Sequence, residues 1–199
     1  MNALRNTDLI SPAQYLLDEA DSPVKREYIG GAIYAMSGAR NEHNLIATSL
    51  LGSLTFRLRG RKCEPYNSDT KVRIHFPSHT RFYYPDAMVV CQPNPRTDSF
   101  QDNPAVIVEV LSRRTRRTDE GEKKDAYLSI PSLKLYLMVE QESPTIVAFR
   151  RDEQGGFVRQ VYRELEAIIS LPEIGTELPL TEVYDRVPFG PEPDDDSPQ

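Results

Sequence analysis

A nearly continuous apolar run, Ala105-Val-Ile-Val-Glu-Val-Leu111, constrains the fold of this chain more than any other segment. A run that lacks alternation between polar and apolar side chains is typical of a strand that is covered on both faces. Such a strand needs partner strands beside it and further elements packed above and below it. We therefore expect it at the centre of a sheet in a layered fold that contains both helices and strands.

The segments before this run predict an N-terminal helix and a hairpin. A helix should begin after Ser11, because serine is a good N-cap and Pro12 suits the first helical position. Two alternating segments follow, and Gly30-Gly31 between them is a typical two-residue hairpin turn. Asn41 is then expected to cap a longer helix, which carries leucines at helical spacing and ends at Gly60.

The rest of the chain is rich in predicted strands. A loop rich in Pro, Asn and Asp, Gln92 to Asn103, leads into the central run, and Thr118 to Ser129 predicts a helix that the Ile130-Pro131 step ends. The other strands are expected at Cys63 to Tyr66, Thr70 to Phe76, Phe82 to Cys91, Leu133 to Val139, Thr145 to Arg150 and Gly156 to Tyr162, with a further strand near Ala167 and a short helix from Thr181.

This order of elements favours an α+β fold in which helices flank a central mixed β-sheet. The N-terminal helix and hairpin and a C-terminal β-extension complete one expected domain over residues 1–189. Residues 190–199 hold four acidic residues and no basic one, and we expect an acidic, disordered tail there.

Composition narrows the class of protein. No apolar run approaches the roughly 18–20 residues that span a bilayer, and residues 1–15 lack the layout of a secretory signal, so we expect a cytoplasmic protein without membrane contact. The two cysteines, Cys63 and Cys91, lie among alternating apolar residues and predict buried free thiols. Their spacing to the three histidines does not suggest a zinc site.

Charge is unevenly distributed. The net charge is −6, but Arg57 to Arg73 holds six basic residues against two acidic ones, and Arg113 to Lys124 holds six against three. A mildly acidic protein with basic stripes can engage phosphate groups locally, although it is not a strong general DNA binder.

Glu109 is the most informative single residue. A carboxylate among Val, Ile and Leu costs several kcal/mol unless a cation or a metal ion compensates it, although a position facing solvent would also explain it. Asp86 stands at the start of another apolar segment, Ala87-Met-Val-Val90. If the two strands are neighbours, both carboxylates can converge on one hard divalent cation such as Mg²⁺.

The helix after Glu109 offers a lysine to this pair. Asp119, Lys123 and Tyr127 recur at every fourth position and share one helix face. An ordinary surface ion pair with a half-buried tyrosine is the alternative. Lys124 also competes with Lys123, but it points about 100° away from that face.

At this point the sequence resembles a known family. The segment from Glu109 to Tyr136, EVLSRRTRRTDEGEKKDAYLSIPSLKLY, is similar to the Uma-two family of restriction-endonuclease-like proteins, and so to the wider PD-(D/E)XK nucleases. Further agreement lies in Glu27 to Met36, His43, Asn67 to Val72 and Tyr84-Pro85-Asp86. The resemblance spans residues 12 to about 187.

The resemblance implies a restriction-endonuclease-like core and a catalytic set of Asp86, Glu109 and Lys123. Asp86 would be the aspartate of the PD element and Glu109 the acid of the (D/E)XK element, and both would bind Mg²⁺, for which Mn²⁺ can substitute. Leu111 stands where the general pattern has lysine, so this family's lysine would come from the following helix.

Supporting roles are open for several residues. Glu27 is either a further acid of the site or part of a hairpin salt bridge, and Asp69 either approaches the metal or forms a turn. His43 is either a site residue or merely partly buried, and Asp119 and Tyr127 would support Lys123. Four arginines either grip a nucleic-acid backbone or form a solvated loop: Arg113, Arg114, Arg116 and Arg117.

Three functions remain in competition. The leading one is metal-dependent endonuclease activity on nucleic acid, with DNA favoured over RNA and a homodimer expected from the hairpin edges. The second is a nuclease-fold module that binds nucleic acid or protein without turnover. The third is a metal-free hydrolase in which Asp86 and Glu109 act as an acid/base pair.

Overall fold

The computed structural model describes residues 9–112 and 116–189, and it describes only the backbone of Arg117. The helices are α1 (Pro12–Ala20), α2 (Asn41–Arg57), α3 (Arg116–Thr118), α4 (Lys124–Leu128) and α5 (Leu180–Val183), and a π-helical segment, Asp119–Lys123, joins α3 to α4. The expected tail at residues 190–199 lies outside the described residues.

Thirteen strands are assigned within the described ranges. They are β1 (Arg26–Ile29), β2 (Ala32–Ala35), β3 (Glu64–Asn67), β4 (Lys71–His75), β5 (Thr80–Tyr83), β6 (Ala87–Val90), β7 (Phe100–Gln101), β8 (Pro104–Leu111), β9 (Leu135–Glu140), β10 (Ile146–Arg151), β11 (Phe157–Tyr162), β12 (Ile168–Leu171) and β13 (Thr176–Pro179).

The strands form two large mixed sheets and one small hairpin. The five-stranded sheet has the order β2-β1-β5-β4-β7, and the six-stranded sheet has the order β11-β10-β9-β8-β6-β3. β8 lies inside the larger sheet, parallel to β9 and antiparallel to β6, as the apolar run predicted. The helical segment after β8 is the crossover that two parallel neighbours require. The expected α+β fold is confirmed.

The core is layered around the six-stranded sheet. Val106, Val108 and Val110 of β8 pack on the side of α2 and the C-terminal elements. Ile107 and Leu111 pack on the opposite side, against residues of the five-stranded sheet and α4. Because strand side chains alternate, Glu109 shares the second side and lies between the two sheets. The layering therefore places a carboxylate in the interior.

The N-terminal hairpin is confirmed, and its turn explains the glycine pair. Gly30 and Gly31 have φ values of 56° and 104°, which a residue with a side chain adopts only at a cost. β1 of this hairpin pairs with β5 in the five-stranded sheet, so the turn helps to fix the position of Glu27.

Three predictions from the sequence are wrong. The segment Phe82 to Cys91 is not one strand, because it ends β5 in one sheet and begins β6 in the other. Pro85 lacks an N–H for a ladder and marks the crossing between the sheets. Asn41 is the first helical residue rather than the cap, since the N–H of Asn44 bonds to the carbonyl of Arg40. The predicted loop Gln92 to Asn103 also contains the short β7.

The prediction of free thiols is also wrong, because Cys63 and Cys91 form a disulfide. Glu64 of β3 stands opposite Val90 of β6, so the next residue outward on each strand meets its counterpart. Periodicity along a single strand carries no information about such a partner. The disulfide fastens the edge strand β3 to the strand that follows Asp86.

Removal of the disulfide should lower the free energy of unfolding. The two cysteines are 28 residues apart, and a closed loop of that size predicts a loss of about 3–4 kcal/mol. Urea unfolding of the Cys63→Ser, Cys91→Ser double variant, followed by circular dichroism, measures this loss. A reductant should destabilise the original chain and leave the double variant unchanged. Two titratable thiols in the native, unreduced protein would contradict the assignment.

Candidate active site

Glu109 occupies the middle of β8 and faces the space between the two sheets. It is 4% exposed. The hydroxyl of Tyr127 on α4 donates a hydrogen bond of 2.7 Å to its Oε1. The same oxygen lies 3.6 Å from the Nζ of Lys123. The interior carboxylate therefore has the partners that a buried acid requires.

Asp86 reaches the same side of the sheet from the neighbouring strand. Ala87 of β6 pairs with Val108 of β8, so one step further along the register Asp86 stands opposite Glu109. The backbone N–H of Val110 donates to Asp86 Oδ2 at 2.7 Å. His43 Nε2 at the start of α2 lies 3.2 Å from the same oxygen. Backbone and imidazole together fix this carboxylate beside β8.

Lys123 closes the site from the crossover segment. Its Nζ lies 2.7 Å from Glu27 Oε1 on β1, 3.6 Å from Glu109 and 3.8 Å from Asp119 Oδ1. It also lies 5.5 Å from the centre of the Tyr83 ring. Lys124 points elsewhere, with its Nζ 5.6 Å from the Phe149 ring. Lys123, and not Lys124, is the lysine among the carboxylates.

Asp119 and Lys123 both face inward from a π-helical segment that is kinked. Gly121 in its centre has φ −111° and ψ −106°, outside the helical range. This departure lets the helix kink while both side chains stay buried. The carbonyl of Asp119 accepts a bond of 3.2 Å from the Tyr136 hydroxyl on β9, which holds the kink against the sheet.

The site holds more negative than positive charge. Glu27, Glu109 and Asp119 surround the single ammonium group of Lys123. Burial raises the pKa of Glu109 well above its usual value, and Asp119 and Asp86 add to the rise, while Lys123 opposes it. Burial disfavours the charged form of Lys123, but the three carboxylates outweigh that effect and raise its pKa. An additional cation would therefore be stabilised here.

The donor set fits a hard divalent cation. Among the described residues, Asp86 Oδ1 and Glu109 Oε2 accept no hydrogen bond, although the second oxygen of each carboxylate does. Within the same ranges, no three His, Cys, Asp or Glu side chains form a ready metal-binding cluster. Mg²⁺ commonly takes one or two protein carboxylates and completes its shell with water and phosphate oxygens. Two carboxylate oxygens that accept no hydrogen bond from the described part of the chain, one on β8 and one just before β6, meet that requirement.

The supporting residues divide into two groups. Glu27, His43, Asp119 and Tyr127 all contact members of the site, and Glu27 pairs with Lys123 rather than with its neighbour in the hairpin. Asp69 does not join them. It lies in the turn after β3, 70% exposed, with its Oδ1 2.6 Å from Lys25 Nζ, and this contact lowers the pKa of Asp69.

His43 responds to its position beside Asp86. Burial lowers the pKa of its imidazole, but the hydrogen bond and the charge of Asp86 reverse that effect and raise it. A protonated imidazole would strengthen the hold on Asp86 Oδ2.

Of the four arginines, the structure describes the side chain of Arg116. Arg116 forms ion pairs with Glu140 and with Glu120, so its charge is already compensated within the fold. Arg113, Arg114 and the side chain of Arg117 lie outside the described residues.

Two tyrosines at the site, Tyr83 and Tyr136, are not predicted from the sequence pattern. Tyr83 lies under Lys123 and Tyr136 bonds to the kinked segment. An aromatic residue in a strand is ordinary, so its type alone carries no signal. Alternation within β9 would at most have placed Tyr136 on the side of the sheet that holds Glu109.

The chain is similar to several known proteins. Residues 12–181 match the model of the Uma2 family, described as "Putative restriction endonuclease". The chain belongs to the Uma2 family. Among its relatives are two uncharacterized proteins of Synechocystis sp. One, slr1290, is 33% identical over 90% of this chain and 94% of its own. The other, sll1609, is 32% identical over 71% of this chain and 80% of its own.

A solved structure supports the fold of this Uma2 protein. It is described as a putative nuclease belonging to DUF820 from Anabaena variabilis, with a TM-score of 0.68 and 16% identity. The match covers 88% of this chain and 97% of the other. At this identity the comparison shows the shared fold.

Removing the ammonium group should strongly destabilise this Uma2 chain. Lys123→Met leaves three buried carboxylates without their cation, and loss of one partner of a buried ion pair typically costs about 3–5 kcal/mol. Lys124→Met is the matched control, and its cost should stay below about 1 kcal/mol because it loses only a contact with an aromatic ring. Urea unfolding at neutral pH measures both. Equal losses would contradict the central role of Lys123.

Proposed function

We propose that this chain is a metal-dependent nuclease that hydrolyses phosphodiester bonds in nucleic acid, with DNA favoured over RNA. Mg²⁺ is its proposed cofactor, for which Mn²⁺ can substitute. The single observation that carries the proposal is the position of Asp86 opposite Glu109, with the ammonium group of Lys123 beside them. One oxygen of each carboxylate accepts no hydrogen bond from the described residues. The descriptions of the Uma2 family and of the DUF820 structure support it.

The chain's own residues divide the work. Asp86 and Glu109 would hold the metal ion, each fixed by hydrogen bonds through its other oxygen. Lys123, held by Glu27, would stabilise the negative charge that develops as a phosphate group is attacked. The chemistry that Mg²⁺ supplies when bound is a lower pKa for the attacking water and neutralisation of phosphate charge.

Other parts of the proposal concern partners and location. Arg113, Arg114 and Arg117 are proposed to contact the nucleic-acid backbone near the site, and a homodimer and a cytoplasmic location remain part of the proposal. Within the described residues, no helix has both the length and the apolar character needed to cross a bilayer.

A cleavage panel tests the proposal. The pure protein is incubated with supercoiled, linear double-stranded, single-stranded and RNA substrates, with Mg²⁺, Mn²⁺ or EDTA. We expect nicking or cleavage of DNA that requires the metal ion. Asp86→Asn and Glu109→Gln should each lower the rate by at least about 100-fold, since each removes one of two charged metal ligands.

One control variant and two further measurements separate the competing functions. Lys124→Ala should retain activity, because Lys124 points away from the carboxylates. Calorimetric titration with Mn²⁺ reports binding independently of turnover. Metal binding without cleavage of any substrate would favour the non-catalytic binding module. Full activity in EDTA would instead support the metal-free hydrolase and overturn the proposed cofactor.

A further inference from the structure

A second cluster of buried polar side chains surrounds Tyr84, the residue that precedes Pro85 and Asp86. The Tyr84 hydroxyl donates a hydrogen bond of 2.8 Å to Glu19 Oε1 on α1. The same hydroxyl accepts a bond of 3.1 Å from Lys71 Nζ on β4. Glu19, Lys71 and Tyr84 are 8%, 5% and 4% exposed. Tyr84 therefore bridges a buried acid and a buried base that come from distant parts of the chain.

Glu19 is in turn fixed by β1. Its Oε1 accepts a bond of 2.8 Å from the backbone N–H of Arg26, and its Oε2 accepts one of 2.8 Å from Arg26 Nε. Every oxygen of Glu19 is thus engaged by a donor of defined direction. The bridge links α1, β1 and β4 to the one residue, Tyr84, where the chain leaves the five-stranded sheet.

Stability alone is a weak reason for this arrangement. Buried charges pay a desolvation penalty, and well-packed apolar residues of similar volume are often as stable. Burial lowers the pKa of Lys71, in keeping with that penalty. What directed hydrogen bonds add over apolar packing is a fixed position for the bridging atom.

The position of Tyr84 restricts the position of Asp86. Only Pro85 separates them; its ring fixes its own φ and restricts the backbone of Tyr84 to extended conformations. Asp86 then has to meet the N–H of Val110 at 2.7 Å. A displacement at Tyr84 would therefore move the carboxylate relative to β8.

We propose that the Glu19–Tyr84–Lys71 bridge is a positioning device that sets the carboxylate of Asp86 beside β8. Tyr84 acts through Asp86 and does not touch the reacting atoms. The consequence for cleavage rests on the proposed function, whereas the consequence for the geometry of Asp86 does not.

The amide proton of Val110 offers a readout that is independent of catalysis. Its N–H points to the β6 side of β8, beyond the last residue pair of that ladder, and bonds to Asp86 Oδ2. Its exchange with solvent, measured by NMR, therefore reports whether Asp86 is in place. Asp86→Ala defines the exchange rate when the bond is lost.

Tyr84→Phe tests the bridge, and Tyr28→Phe is the matched control. Tyr28 is also buried, and its hydroxyl donates to the carbonyl of Ile10 at 2.8 Å, but it does not precede Asp86. We expect exchange at Val110 to accelerate about tenfold in Tyr84→Phe, because a buried group left without its hydrogen-bond partner costs about 1–3 kcal/mol. Exchange should stay at the original rate in Tyr28→Phe. If Tyr84→Phe does not fold, Lys71→Met removes the other half of the bridge and takes its place.

Unchanged exchange at Val110, or equal acceleration in both tyrosine variants, would overturn the inference. The catalytic arm uses the cleavage assay: Tyr84→Phe should lower kcat about tenfold or more and raise the Mn²⁺ concentration for half-maximal rate, with the KM for DNA unchanged. If the original chain neither binds metal nor cleaves, the proposed function fails, while exchange at Val110 still decides the positioning role.

Discussion

One buried ammonium group organises the interior of this protein. Lys123 is the cation shared by Glu27 of the five-stranded sheet, Glu109 of the six-stranded sheet and Asp119 of the crossover between β8 and β9. Each of these carboxylates would be costly to bury alone. The two sheets can therefore meet at this point only when the crossover delivers its lysine between them. Packing of the sheets and electrostatics both favour Lys123 between the two sheets.

The kink at Gly121 lies within the segment that carries Lys123. A regular helix would already place Asp119 and Lys123 on one face, because they are four residues apart. The π-helical segment keeps Asp119 and Lys123 buried, and the Tyr136 hydroxyl holds its backbone. An irregular segment at the point of greatest charge is typical of functional sites, because regular structure does not need such a departure for stability.

The sequence was informative where a residue contradicted its surroundings. Glu109 interrupts an apolar strand and Asp86 begins one, so both could be identified from pattern alone, and the antiparallel register places them together. The partner of Glu27 could not be foreseen, because it depends on how two sheets stack. The same holds for the disulfide, which depends on the register between strands. The sequence pattern predicts individual elements, but it does not predict the contacts between them.

The two halves of the site are fixed by independent means. Lys123 is held by the stacking of the sheets, whereas Asp86 is held by Val110, His43 and the chain through Pro85. Two carboxylates that approach each other with no bound cation repel, and a flexible site would relax by moving one away. Here each carboxylate has one oxygen held by a donor in the fold, and these hydrogen bonds oppose such a movement. The charge of Asp86 therefore acts on Glu109 and helps to raise the pKa of Glu109, and under the proposed function a bound cation would offset this repulsion.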